Sequence, residues 1–220
     1  MSTLIPQPFW FRVAHSCRRV EAIPRVKGRL LDLSEAHELA DLGRLDGKPA
    51  WAKVRSAWNP KGLGFSFEVV DKVGEISPDP SRPSGSDGVQ VWIDTRDTRT
   101  VHRATRYCSR FQANLARGGG RSLEVLVVQK PIARALANPP MTKAMEVAAR
   151  AERTVSGWRL ELFFPSDSLA GFDPEANRRL GLSYQVTDPD RGELFSGMGR
   201  EFPVGEDPSL WATLILEDEV

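Results

Sequence analysis

Two cysteines and three histidines are all that 220 residues offer as soft metal ligands, and no CxxC or HxxxH spacing joins them. A structural zinc site is therefore excluded. Cys17 and Cys108 lie far apart and are read as free thiols in a reducing compartment. Charge of one sign is also lacking. Thirty Lys and Arg stand against 29 Asp and Glu, a net charge of +1. That balance gives no general attraction to nucleic acid or to an anionic membrane. No apolar run approaches the roughly 18 residues of a membrane span. The N-terminus, MSTLIPQPFWFRVAHSCRR, has neither the basic start nor the long apolar stretch of a secretory signal, so a cytoplasmic location is expected. G-x-S-x-G, G-x-x-x-x-G-K-[ST] and G-x-G-x-x-G are all missing, which removes the commonest hydrolase and nucleotide-binding signatures. Three histidines and four methionines fit no axial-ligand motif for haem. No internal repeat or low-complexity tract is present.

What is there is short alternation. Ser86 to Asp97 reads SDGVQVWIDTRD. Val89, Val91 and Ile93 fall on one side of a strand, and Gln90, Trp92 and Asp94 on the other. Residues 50–58 and 63–70 alternate about the turn Asn59-Pro60-Lys61-Gly62 and form the clearest hairpin. Residues 104–115, 123–128, 145–153, 157–164, 180–187 and 211–217 add further strands. Residues 9–14 and 28–33 are weaker candidates, and 34–42 suggests a short helix capped by Ser34. Residues 74–88, rich in Pro, Ser and Gly, form a long rim loop, and Asp188 to Gly192 a turn. Hydrophobic residues make up 40% of the chain, enough for one core. Some ten short strands without a long amphipathic helix predict an all-β fold. It is a jelly-roll-like β-sandwich of two mainly antiparallel sheets. Its core is expected to hold Phe65, Phe67, Phe111, Leu160, Leu162 and Leu214. The sandwich spans 50–220, and residues 1–49 form an extension that packs on it or adds strands.

Three segments resemble a known family. Asp87 to Asp94 matches D-x-V-x-V-x-I-D, and Gly157 to Pro165 matches G-Y-x-x-E-x-x-I-P, with Trp158 at the tyrosine position and Phe164 before the proline. Gly181 to Asp188 matches G-x-x-x-x-V-x-D, and Pro208 to Leu214 follows where the pattern closes. Over about residues 50–217 the chain resembles the family 9 carbohydrate-binding modules and related DOMON-type sandwiches. The run from Trp92 to Cys108 is similar to one in bacterial proteins of this class from planctomycetes. The resemblance implies a β-sandwich, a slot where tryptophans stack on a sugar ring, and calcium ions that brace loops.

The residues suggest a site of their own. The face carrying Gln90, Trp92, Arg110 and Gln112 combines an indole with amide and guanidinium groups, the mixture that suits a small polar ligand such as a saccharide. Trp58, Trp158 and Trp211 are expected in the core, while Trp10 and Trp51 are open. Arg96, Arg99, His102, Arg103, Arg106 and Arg110 cluster with Asp94 and Asp97, and their guanidinium forks suit an anionic ligand or acidic sugar. A network of ion pairs around a loop is the alternative. Asp87, Asp94 and Asp97, or Asp188 and Asp190, are the candidate calcium ligands, although no twelve-residue loop pattern is present. No other cofactor is expected. Non-catalytic saccharide binding is the favoured reading. A structural or interaction protein and a two-carboxylate glycosidase are the alternatives.

Overall fold

A computed structural model describes residue 11 and residues 13–77, 85–116, 118–141 and 147–218. Its strands are β1 (Ala14–Arg19), β2 (Ala52–Asn59), β3 (Gly62–Val69), β4 (Gly88–Asp94), β5 (Cys108–Ala116), β6 (Ser122–Lys130), β7 (Ala148–Arg153), β8 (Trp158–Pro165), β9 (Arg179–Asp188), β10 (Gly192–Phe195) and β11 (Ala212–Glu217). Among the described residues, the helical segments between them are short 3₁₀ turns.

The strands form two layers. One runs β6-β5-β4-β9, with β10 beside the distal half of β9. The other runs β7-β8-β3-β2-β1-β11. All pairings are antiparallel except β1 with β2 and with β11. The layers join at both edges. Ser122 and Leu123 of β6 pair with Glu152 and Ala151 of β7. At the other edge β11 pairs with Leu180, Gly181 and Leu182 of β9. The sandwich is therefore one continuous sheet closed on itself, which protects the strand edges.

Alternation decides what each layer buries. Val89, Val91 and Ile93 share a core with Phe65, Phe67, Phe111, Leu160, Leu162 and Leu214, the composition expected from the sequence. Phe111 meets Phe164 across the layers at 4.7 Å, and Phe67 meets Tyr184 at 5.9 Å. Trp58, Trp158 and Trp211 are buried as expected. Gly62 is required at the β2–β3 turn, because a Cβ there would lie 2.1 Å from the Phe164 carbonyl oxygen.

The N-terminal segment departs from the sequence reading. Of the described residues in 9–14, which are 11, 13 and 14, only Ala14 lies in a strand, and Trp10 lies outside the described residues. Residues 34–42 contain a 3₁₀ turn at Glu35–His37, and another begins at Leu42, in place of a continuous helix. Residues 28–33 form no strand. Leu30 and Leu31 instead pack with Ile23 on Ala57 and Phe163, outside the second layer. Their backbone N–H groups, and that of Asp32, donate to the Glu161 carboxylate at 2.6, 3.3 and 3.1 Å. A strand-like apolar run thus finds its hydrogen bonds on one buried side chain.

His15 faces inward beside Leu214 and is buried, and neither ring nitrogen has a hydrogen-bond partner among the described residues. Burial lowers its pKa from 6.5 to about 4. The folded state therefore holds the ring neutral where the unfolded chain would protonate it. The contribution is complete above the unfolded value and is lost as pH falls through the folded one. At about 1.4 kcal/mol per unit, the loss is on the order of 3 kcal/mol. In melting curves from pH 7 to pH 4, His15→Leu should flatten the fall in Tm. A variant that tracks the wild type would rule this origin out.

Candidate functional site

The outer face of the first layer is polar because alternation leaves one kind of side chain there. Gln90 lies opposite Gln112 on β5 and Gln185 on β9, and Trp92 lies opposite Arg110 and Ser183. These side chains bond to one another in a directed chain. Arg110 donates to Gln90 Oε1 from Nε at 3.1 Å and from Nη2 at 2.6 Å. Gln90 Nε2 donates to Gln185 Oε1 at 3.3 Å, and Gln185 Nε2 donates to Thr187 Oγ1 at 3.3 Å. Each bond fixes the orientation of the next amide. Burial lowers the Arg110 pKa, and no carboxylate pairs with this guanidinium among the described residues.

A hollow of about 320 Å³ opens above this chain, lined by Gln90, Trp92, Arg110, Gln185, Phe195 and Phe202, with Val204 and Gly205 on one wall. Glu193 and Arg200, which form an ion pair, also line it. Phe195 and Glu193 come from β10, a four-residue strand that the sequence expectation lacks, since it places a turn after the strand 180–187 and no strand before 211. Glu193 and Phe195 share the outer face while Leu194 between them packs on the core, and that alternation after the turn is the signal for it.

Trp92 lies on the expected face, but its ring is not an open platform. It is 3% exposed and packs with Ala104, Cys108, Ile132 and Trp211. The Arg110 guanidinium covers it at 5.4 Å from the ring centroid. Its Nε1 is buried with no partner among the described residues. The neighbouring ring edge, at Cζ2 and Cε2, faces Gly205 in the wall of the hollow.

The remaining candidates disperse. Gln112 shares the face but donates to Asn114 Oδ1 at 3.1 Å and does not line the hollow. Arg96 and Arg106 both lie over the Tyr107 ring, at 4.6 and 5.0 Å. Arg103 donates to the Arg134 carbonyl at 2.7 Å. Only Arg110 of the arginine group reaches the hollow.

His102 borders a second cavity, of about 490 Å³, beside Asp207 and Ser209. Its Nδ1 lies 3.1 Å from Asp207 Oδ2 and 3.0 Å from Ser209 Oγ. An acyl-transfer triad divides acid and hydroxyl between the two ring nitrogens. Here both partners share one nitrogen, and Ser209 Oγ donates to Asp207 Oδ1 at 2.6 Å. The arrangement is a loop clamp.

The candidate calcium ligands are engaged by protein donors. Asp87 Oδ1 accepts from Trp158 Nε1 and lies 3.0 Å from Lys72 Nζ. Asp94 accepts from the backbone N–H groups of Arg96 and Thr98 at 3.0 and 2.7 Å, fixing the turn after β4. Asp97 accepts from Thr213 Oγ1 and pairs with Arg99 and Arg179. Asp188 and Asp190 both lie beside Lys72 Nζ, at 3.0 and 3.5 Å. Among the described residues no three His, Cys, Asp or Glu side chains are arranged to hold a metal ion.

No family model matches the sequence, and no curated protein does. Solved structures do. A family 9 carbohydrate binding module from Caldicellulosiruptor kristjanssonii, in complex with cellotriose, aligns with TM-score 0.63 at 14% identity, over 94% of this chain and 95% of that one. A second structure of a family 9 module from that organism, in complex with glucose, gives TM-score 0.59 at 12% identity, over 93% and 97%. This chain therefore has the fold of the family 9 carbohydrate-binding modules.

Proposed function

We propose that this protein binds a saccharide without transforming it, in the hollow above Gln90, Arg110 and Gln185. The observation that carries the reading is the fixed chain of amide and guanidinium groups beneath that hollow. A sugar hydroxyl both donates and accepts, and amides held in one orientation offer it both partners at defined positions. Phe195 and Phe202 supply the apolar rim against which a pyranose can lie. The likeness in fold to modules solved with cellotriose and glucose supports the same class of ligand. Affinity should be modest, because each hydroxyl exchanges water for protein at small net gain.

A glycan array that includes acidic sugars, followed by calorimetry on the hits, tests the proposal. Gln90→Ala and Arg110→Ala should each weaken binding about tenfold, equivalent to about 1.4 kcal/mol. Absence of binding across the array would refute the proposal and favour the interaction-protein reading.

A further inference from the structure

The outer face of the second layer carries a different chemistry. A cavity of about 400 Å³ lies between the β7–β8 pair, the loop at Gly28 and Arg29, and the start of β6 at Arg121 and Ser122. Four arginines line it, Arg29, Arg121, Arg150 and Arg159, against Glu152 and Glu161. Two of the four are already neutralised. Arg159 pairs with Glu68 at 2.5 Å and Glu152 at 3.1 Å, and Arg29 with Asp32 at 3.3 Å and Glu152 at 3.6 Å.

Arg150 has an apparent partner in Glu161, which lies opposite it in the β7–β8 register. That carboxylate is committed elsewhere, because it accepts the backbone N–H groups of Leu30, Leu31 and Asp32. Arg150 donates instead to the Val26 carbonyl oxygen at a long 3.4 Å. Arg121 is exposed at the rim. Neither Arg121 nor Arg150 has a carboxylate partner among the described residues. The cavity thus has two spare guanidinium forks and, from Ser122, a hydroxyl.

We propose that this cavity binds an oxyanion, a phosphate or sulfate group, between Arg121 and Arg150. Guanidinium forks match tetrahedral oxyanions in two-pronged fashion. The volume leaves room for the residue that bears the group. Because the pocket lies where β6 meets β7 and shares no lining residue with the hollow above Gln90, it works independently of the saccharide hollow.

The test uses the full chain in thermal-shift and calorimetric titrations with sodium phosphate, sodium sulfate and a sulfated disaccharide, against sodium chloride at equal ionic strength. Saturable binding of any of the three anions beyond chloride is expected. Selective binding of the disaccharide would assign the site to an esterified group, and binding of the inorganic ions to a free one. Arg121→Gln and Arg150→Gln should each weaken binding at least tenfold, and the pair should abolish it. Gln90→Ala should leave the binding of inorganic phosphate and sulfate unchanged, which separates this site from the saccharide reading. Arg121 is exposed, so its variant should fold, and an unshifted melting temperature without anion verifies this. Absence of saturable binding, or wild-type affinity in both arginine variants, would overturn the proposal.

Discussion

Lys72→Met should destabilise the fold by about 3–5 kcal/mol, the usual consequence of removing one partner from a buried ionic group. At roughly 2–4 °C per kcal/mol for a chain of this size, Tm should fall on the order of 10 °C. The Lys72 side chain is 2% exposed, and its ammonium lies 3.0 Å from both Asp87 Oδ1 and Asp188 Oδ1. Burial alone would lower its pKa, but hydrogen bonds and charge from Asp188 and Asp87 carry it above the ordinary value. Burial likewise raises Asp87, against the bonds from Ser77, Lys72 and Trp158 that favour its charge. Both aspartates sit at strand ends in the first layer, Asp87 just before β4 and Asp188 at the end of β9. Trp158 of the second layer donates to the same Asp87 oxygen. The lysine therefore ties two strand ends of one layer together, and the indole ties them to the other. Chemical denaturation of Lys72→Met checks this. Adding Asp87→Asn and Asp188→Asn to that variant should recover part of the loss, because the uncompensated charges are removed. A Lys72→Met stability within 1 kcal/mol of wild type would show that the cluster is not a structural tie.

Nothing in the sequence marks Lys72 as the centre of that cluster. It follows a strand, precedes a Pro-rich loop, and meets Asp188 only after folding joins positions 116 residues apart. The strands are different. β4 can be read residue by residue because its period is two and one face is wholly apolar, so alternation alone places Gln90 and Trp92 on the polar side. Arg110 follows from the same reasoning on β5. The hollow itself is less legible, since Phe195 and Phe202 come from a four-residue strand and the irregular segment after it. The loop arginines show the opposite limit. Arg96, Arg103 and Arg106 are close in sequence, but tight turns aim them at Tyr107 and at the Arg134 carbonyl. Alternation constrains side chains within a strand and says little once the chain leaves it.

Trp92 belongs to two environments at once, because alternation gives it to the ligand face and packing gives it to a core. Trp92→Ala should cost about 3–5 kcal/mol, as for a large buried aromatic, since the ring fills the space between Ala104, Cys108, Ile132 and Trp211. Any loss of ligand in that variant would be uninterpretable alone. Trp92→Phe separates the effects. It keeps most of the apolar ring and removes an indole N–H that is buried without a partner among the described residues. An unsatisfied buried donor costs about 1–3 kcal/mol, so its removal should offset much of the lost packing and leave stability close to wild type. If a sugar hydroxyl accepts from that N–H at the edge of the hollow, the same variant should bind several-fold more weakly while melting normally. Denaturant melts and calorimetry on both variants measure the two quantities separately. A Trp92→Ala variant within 1 kcal/mol of wild type would contradict the packing role, and wild-type affinity in Trp92→Phe would leave the indole as a support for Arg110 rather than a contact of its own.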